Sequence, residues 1–243
     1  MQTDLSFENK VGDVVARDPR TAAIFEKFGI DFCCKGKISI DEACQRKNIM
    51  TEEVMRELKL LFQAKPETTA DFTAWPAAML ADYIENKHHR YVASTIPVIL
   101  PYLEKLTAKH GERFPELMEI QRLFLESASE LTLHMKKEEM VLFPRIRKMT
   151  SLISQAGPVV TLPPGSLGIP ISVMMAEHEH EGDRFAKIEA LTNHFTPPAE
   201  ACNTHIVTYN LLKEFVNDLH MHIHLENNIL FPKALEMEKE LVK

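Results

Sequence analysis

Glycine is scarce, with 8 copies in 243 residues. A turn-rich β fold leans on glycine. Its shortage, beside abundant leucine, methionine, alanine and glutamate, points to helices. Positive charge is also short: the formal net charge is −7 and the isoelectric point lies near 5.9. That argues against general nucleic-acid binding, which works by neutralising phosphates. No apolar run reaches the ~20 residues needed to span a bilayer, so no membrane partner is expected. Met1 to Lys10 is polar and lacks the apolar stretch of a secretory signal. Four cysteines (Cys33, Cys34, Cys44 and Cys202) do not suggest a disulfide framework, and a reducing, cytoplasmic location is expected. A hydrophobic fraction of 45% is ample for a packed core. Histidine is the residue in excess, with 11 copies, most of them inside helical patterns.

The first ~65 residues read as a small helical domain, within the size range of compact units. Val11 to Ala16 is apolar and stops at Asp18-Pro19. Thr21 to Phe28 is a second helix, with Gly29 at the left-handed stop. Asp31 to Lys37 is a loop. Ser39 or Asp41 caps a third helix through Arg46, and Thr51 caps a fourth. Lys65 to Thr73 is a polar linker containing Pro66. The division expected is therefore residues 1–65 and residues 76–241. Four long helical patterns fill the second part. Helix A runs from Pro76 to Lys109, with Gly111 beyond its end and with Pro97 and Pro101 expected to bend it. Helix B runs from Pro115 to about Met149, and Thr150 to Gly168 is a loop. Helix C runs from Pro170 to Phe195, and helix D from about Cys202 to Glu240. Long helices with modest connections predict an all-α, up-down-up-down four-helix bundle.

Two segments of the bundle match. One reads His134-Met-Lys-Lys-Glu138-Glu-Met-Val-Leu142-Phe143-Pro144, and the other His222-Ile-His-Leu-Glu226-Asn-Asn-Ile-Leu230-Phe231-Pro232. They lie 88 residues apart, and each follows another histidine: His89 by 45 residues and His178 by 44. The pattern His, then His-x-x-x-Glu, thus occurs once in A–B and once in C–D. Residues four apart share a helix face and stand ~6 Å apart along the axis. His89, His134, Glu138, His178, His222 and Glu226 can therefore gather in the bundle core. A lone His-x-x-x-Glu is a weak sign, because such pairs also decorate helix surfaces. A repeated ligand set is a strong one. Four imidazoles with two carboxylates suit two iron ions bridged by carboxylate or oxide, and iron is the metal expected.

The other histidines say less. His88 points about 100° away from His89, so only one of the two can aim inward; His89 is chosen for its spacing. His180, His220 and His224 should be solvated or touch a ligand from behind. His110 and His194 sit in last helical turns, where a cation complements the helix dipole. His205 reads as surface. Glu177 and Glu181 flank His178 and read as solvated, with Glu177 also placed to contact a ligand or add a bridge. Leu142, Phe143, Leu230 and Phe231 read as core. Cys33 and Cys34 are adjacent, too strained to pair with each other. Lys35 and Lys37 beside them are expected to depress the thiol pKa and to make these cysteines candidates for iron transfer or redox work. The plainer reading, a buried apolar thiol, stands at even weight. Cys44 and Cys202 carry no assigned role.

Helices A to D resemble the hemerythrin-like bundle. With Asp31-Phe32-Cys33-Cys34-Lys35-Gly36-Lys37 ahead of it, nearly the whole chain resembles the iron–sulfur cluster repair di-iron family, the repair-of-iron-centres proteins. The resemblance places the six histidines and glutamates above on that family's metal-ligand positions. It implies a cytoplasmic protein made under nitrosative or oxidative stress that restores damaged iron–sulfur clusters, with damaged iron–sulfur proteins as partners. Oxygen-carrying hemerythrins have a further histidine four residues after the ligand on helix C, where this chain has Gly182. That departure argues against a dedicated oxygen carrier. Nitric oxide or oxygen is the expected small ligand. Alternatives are a nitric oxide or peroxide reductase and a gas-binding sensor or storage module, so whether the chain is an enzyme stays open, as does assembly into a homodimer.

Overall fold

The computed structural model describes residues 5–63, 70–154 and 167–241. Among them no strand forms, and no helix is long and apolar enough to cross a membrane. The amino-terminal part holds α1 (Val11–Arg17), α2 (Ala22–Lys27), α3 (Ile40–Lys47) and α4 (Thr51–Gln63). Gly29 takes φ 63° after α2, as its place past a helix end requires. Of the two candidate caps for α3, Ser39 is the one used: its hydroxyl accepts from the Glu42 amide at 3.1 Å. Asp41 instead takes the Thr51 hydroxyl at 2.9 Å, so Thr51 opens α4 with its side chain turned away to α3. Residues 65–69 of the expected linker lie outside the described residues.

Four long helices follow. We number them α5 (residues 77–110), α6 (116–154), α7 (Gly168–Leu191) and α8 (203–241). Each packs on its neighbours in sequence, and α8 closes the ring against α5. Three of the four are interrupted by a π-helical turn, at Ile84–His89, Glu138–Leu142 and Glu226–Leu230. The last two precede Phe143-Pro144 and Phe231-Pro232. A proline has no N–H to continue the ladder, so the widened turn sits where the α-helical bonding is already broken. Pro97 and Pro101, by contrast, lie within one unbroken α-helical stretch, Arg90–His110.

Several boundaries differ from the sequence reading. Helix α6 continues through Ser154, so the first residues of the expected 150–168 loop are helical; residues 155–166 lie outside the described ones. Helix α7 stops at Leu191 rather than Phe195. Asn193, His194 and Phe195 take φ of 48°, 56° and 55°, turning the chain before Pro197-Pro198. His194 therefore lies past the helix, not in its last turn, and pairs with Glu189 at 2.9 Å. His110 does occupy the last turn of α5.

Two apolar clusters lie on either side of one polar layer. One joins the amino-terminal helices to the bundle and includes Phe25, Phe32, Leu103, Phe124 and Phe215. The other fills the opposite end with Leu80, Ile84, Phe143, Ile146 and Phe231. The amino-terminal part is tied down at a close backbone approach. Gly12 donates its amide to Gly36 at 2.8 Å, and a Cβ at Gly36 would lie 2.3 Å from the Phe32 carbonyl and 3.0 Å from the Gly12 Cα. These are backbone atoms that cannot swing aside. Gly36→Ala is therefore expected to destabilise the chain by about 1–3 kcal/mol, read as a lower urea midpoint with an unchanged slope. Gly168→Ala, where no described residue lies within 4 Å of the added Cβ, is expected not to lower the midpoint. An unmoved midpoint for Gly36→Ala would mean the loop is not held against α1.

Candidate metal centre

The six residues singled out by the repeat meet in the polar layer. His89 leaves the π turn of α5, His134 and Glu138 face inward from α6, His178 from α7, and His222 and Glu226 from α8. None is more than 3% exposed, and both glutamates are 0% exposed. Their donor atoms fall into two quartets, His89–Glu138–His222–Glu226 and His134–Glu138–His178–Glu226. Both carboxylates belong to both quartets. Oxygen Oε1 of Glu226 lies 3.2 Å from His222 Nε2, and its Oε2 lies 3.2 Å from His178 Nε2. Oxygen Oε2 of Glu138 is 3.4 Å from the Nε2 atoms of both His89 and His134. This is the arrangement of two adjacent cation cages sharing two bridging carboxylates.

The outward nitrogens make the case stronger. His89 Nδ1 meets Glu139 at 2.8 Å, His134 Nδ1 meets Glu177 at 2.7 Å, and His178 Nδ1 meets the Asn227 side-chain oxygen at 2.9 Å. Each outward Nδ1–H donates to an oxygen, which leaves Nε2 to point into the cage as a donor for metal. Those inward nitrogens come in close pairs: His89 with His222 at 3.2 Å, and His178 with His134 at 2.9 Å. Two lone pairs so close repel unless a proton or a cation lies between them. Both oxygens of Glu138 and one of Glu226 are buried without a hydrogen bond. An anionic cage with orphaned oxygens and paired lone pairs fits divalent or trivalent metal ions, with mixed imidazole and carboxylate donors suited to iron.

Protonation follows the same logic. Burial alone would drive the His89 pKa down, but contacts with Glu138 and Glu226 hold it up at about 10. Burial likewise opposes protonation of His134, and the Glu138 charge overcomes it, giving about 9. His222 goes the other way, pushed below its ordinary value by burial. Burial would raise both glutamates. The imidazoles around them win, holding Glu138 below and Glu226 well below the usual carboxylate range. Without metal, His89 and His134 therefore carry the positive charge that offsets the two buried carboxylates.

Both phenylalanines of the repeat brace the cage. Phe143 stacks on His89 at 5.5 Å and 20°, and Phe231 on His178 at 6.0 Å and 2°. Glu177 accepts from His134, as one of its two readings held. Glu181 is not solvated: it is 3% exposed, taking the Ser127 hydroxyl at 2.7 Å and pairing with Arg184. Glu139 and Asn227 were not singled out in the sequence. The sequence does carry a signal, since each directly follows a repeat glutamate, and each accepts a hydrogen bond from the ligand histidine of the preceding helix. His88 lies outside the cage, bonded to Asp218 at 3.0 Å. His180 is exposed and His220 partly so. His224 is buried, bonded to Asn228 at 3.1 Å, and pushed by burial to about 4. His205 is a buried residue rather than a surface one. It packs edge-on against Tyr209 at 4.5 Å and Phe114 at 5.4 Å, and burial lowers its pKa.

The cysteine loop lies against this centre. Asn228 donates to the Phe32 and Cys33 carbonyls at 3.2 and 3.1 Å. The Cys34 thiol sits 3.5 Å from the His178 carbonyl and would be 3.4 Å from a Cβ at residue 182. The Cys34 sulfur thus lies in van der Waals reach of the side-chain position at Gly182. The expected depression of the thiol pKa fails at Cys33. The hydrogen bond with Cys34, burial and the nearby Asp31 raise it well above its ordinary value. The cysteines are free, with sulfurs 3.8 Å apart. Cys44 is buried, and Cys202 meets His110 at 3.3 Å.

Loading the metal-free chain with iron(II) is expected to release about two protons per chain near pH 7, one each from His89 and His134. The glutamates contribute none, being ionised already. Affinity should fall as pH falls, because the same protons compete. Indicator-dye titration in weak buffer measures the release; none at all would show that His89 and His134 are not protonated.

Comparison with known proteins covers both parts of the chain. Residues 80–234 match the model of the hemerythrin HHE cation binding domain, and residues 7–61 match a domain of unknown function, ScdA_N. A probable iron-sulfur cluster repair protein of Haemophilus influenzae is 33% identical over 94% of this chain and 97% of its own length. The iron-sulfur cluster repair protein YtfE of Escherichia coli O8 is 34% identical over 95% of this chain and 98% of its own. That of Citrobacter koseri is 34% identical over 96% and 100%. With a metal-binding bundle behind a matching amino-terminal domain, and with relatives aligned almost end to end, the chain belongs to the iron–sulfur cluster repair family.

Proposed function

We propose that this protein holds two irons on His89, His134, Glu138, His178, His222 and Glu226 and uses them to repair iron–sulfur clusters damaged by nitrosative or oxidative stress, by supplying iron. The observation that carries the reading is the sharing of Glu138 and Glu226 by both quartets. Two carboxylates common to two cages hold a pair of like ions side by side rather than one. When bound, the pair supplies exchangeable iron and a place for a small ligand such as nitric oxide or oxygen.

The chain's own residues do the rest. Glu139, Glu177 and Asn227 fix the tautomers of three imidazoles, so their Nε2 atoms stay aimed inward. Phe143 and Phe231, both buried, stack on His89 and His178 and hold those rings in place. Cys33 and Cys34, at the outer wall of the second quartet, engage the damaged target or the iron on its way out. The proposed client is a damaged iron–sulfur protein in the cytoplasm. Residues 1–65 and 76–241 work as two units, the first handling exchange and the second storage.

The test uses the full chain purified from iron-replete cells, with about two irons per chain expected from the two quartets. Reduced protein should reactivate a nitric-oxide-damaged cluster enzyme in proportion to the iron it carries. Glu138→Ala and Glu226→Ala should each lose exchange coupling between the irons, and reactivation with it. One zinc and no iron would sink the di-iron reading. Many turnovers of nitric oxide per centre without reactivation would make the protein a reductase instead.

A further inference from the structure

We propose that Asp31, Cys33 and Cys34 form a metal site of their own, taking a single thiophilic divalent cation. Only the identity of that ion as iron(II) rests on the repair reading above. One donor atom from each residue lies within 4.8 Å of the others. The sulfurs stand 3.8 Å apart, and the Cys33 sulfur is 3.3 Å from Asp31 Oδ1. An ion ~2.3 Å from each of two sulfurs in tetrahedral geometry sets those sulfurs ~3.8 Å apart. The spacing is thus already that of a chelate. The loop is also held in shape, because Asp31 Oδ1 accepts the amides of Cys33 and Cys34 at 3.0 and 2.9 Å.

Access and connection fit such a site. The three residues line a cavity of about 810 Å³ between the amino-terminal part and the bundle, with Glu179, Asp183 and His220 on its walls. An ion can enter from that side and keep water in its remaining positions. On the other side the loop is bonded to the bundle centre. Asn227 donates to the Cys33 carbonyl at 3.4 Å while its oxygen accepts from His178 at 2.9 Å. One side chain therefore joins the cysteine loop to a wall of the second quartet. Binding releases the two thiol protons to solvent and changes no oxidation state. Two thiolates and one carboxylate then face one doubly charged ion.

Cobalt(II) is the probe, added under a phosphine reductant to the full chain with its bundle centre already loaded. Thiolate-to-cobalt charge transfer in the near ultraviolet reports sulfur ligation only, so it is blind to whatever fills the histidine cages. One cobalt per chain with that absorption is expected. Cys33→Ser and Cys34→Ser should each abolish it, Cys202→Ser should not, and Asp31→Asn should weaken binding at least tenfold. Asparagine retains the oxygen that accepts the loop amides, so its effect isolates the lost charge. Absence of the band in the folded wild-type chain would overturn the proposal. So would full binding by Asp31→Asn or by either serine variant. Failure here leaves the di-iron reading standing, and failure of that reading leaves this band in place.

His222 differs from the other three inward imidazoles. Among the described residues its Nδ1 is buried without a hydrogen-bond partner, as are Asp218 Oδ2 and His88 Nε2. Asp218 stands four residues before His222, on the same helix face. Its other oxygen holds His88 Nδ1 at 3.0 Å, and the His88 ring lies parallel to His222 at 5.7 Å and 12°. The residue before the ligand on α7 is Glu177, which serves His134; the matching position on α5 is His88, which cannot serve as a carboxylate. We infer that Asp218 is the positioning residue for His222, with His88 braced between. Asp218→Asn retains the oxygen that holds His88 and removes the charge. It should raise the midpoint potential of the loaded centre and speed iron loss to a chelator by about 10- to 100-fold. Unchanged potential and release in Asp218→Asn would overturn the assignment, whatever the activity.

Discussion

Two carboxylates, both 0% exposed, point into the same small space at the middle of an apolar bundle. The rest of the structure answers that fact. Burying an unpaired carboxylate is costly, and burying two that repel is worse. Positive charge must come to them, either as protons on His89 and His134 or as metal. The four imidazoles need partners in turn, which is why Glu139, Glu177 and Asn227 stand behind three of them. The apolar clusters above and below then seal the layer and leave it few ways to relax.

The same constraint reaches the amino-terminal part. Its cysteine loop is held by Asn227 and Asn228, residues that immediately follow the buried Glu226. Position 227 must accept from His178 on one side and donate to a carbonyl on the other. An amide does both, whereas a carboxylate can only accept. At the equivalent position in the first half the residue only accepts, from His89, and there a glutamate, Glu139, is used. The difference between two otherwise matched repeats therefore marks where the second domain attaches.

Much of this was legible in the sequence because it repeats. His-x-x-x-Glu-x-x-x-Leu-Phe-Pro fixes a helix face twice, and the matched upstream histidines supply the remaining donors. What escaped depends on tertiary neighbours. Glu181 and His205 look like ordinary surface residues until Ser127 and Phe114 arrive from other parts of the chain, with Tyr209 one turn on covering the His205 ring. The π turns escaped because their period is set by which N–H finds which carbonyl, although the prolines after two of them were a usable hint. Cys33 was misjudged because sequence neighbours were weighed as spatial ones. Lys35 and Lys37 adjoin it in the chain, while burial, Cys34 and Asp31 govern its proton.

Gly182 shows how one missing side chain redirects a scaffold. A side chain there would start within van der Waals reach of the Cys34 sulfur, 3.4 Å from its Cβ. With glycine, the bundle wall is thin at that point, and a thiol from a separate domain lies against the backbone of a cage histidine. The second quartet is therefore backed by both parts of the chain: His178 lies on the bundle helix, and its carbonyl and its Asn227 partner both reach the cysteine loop.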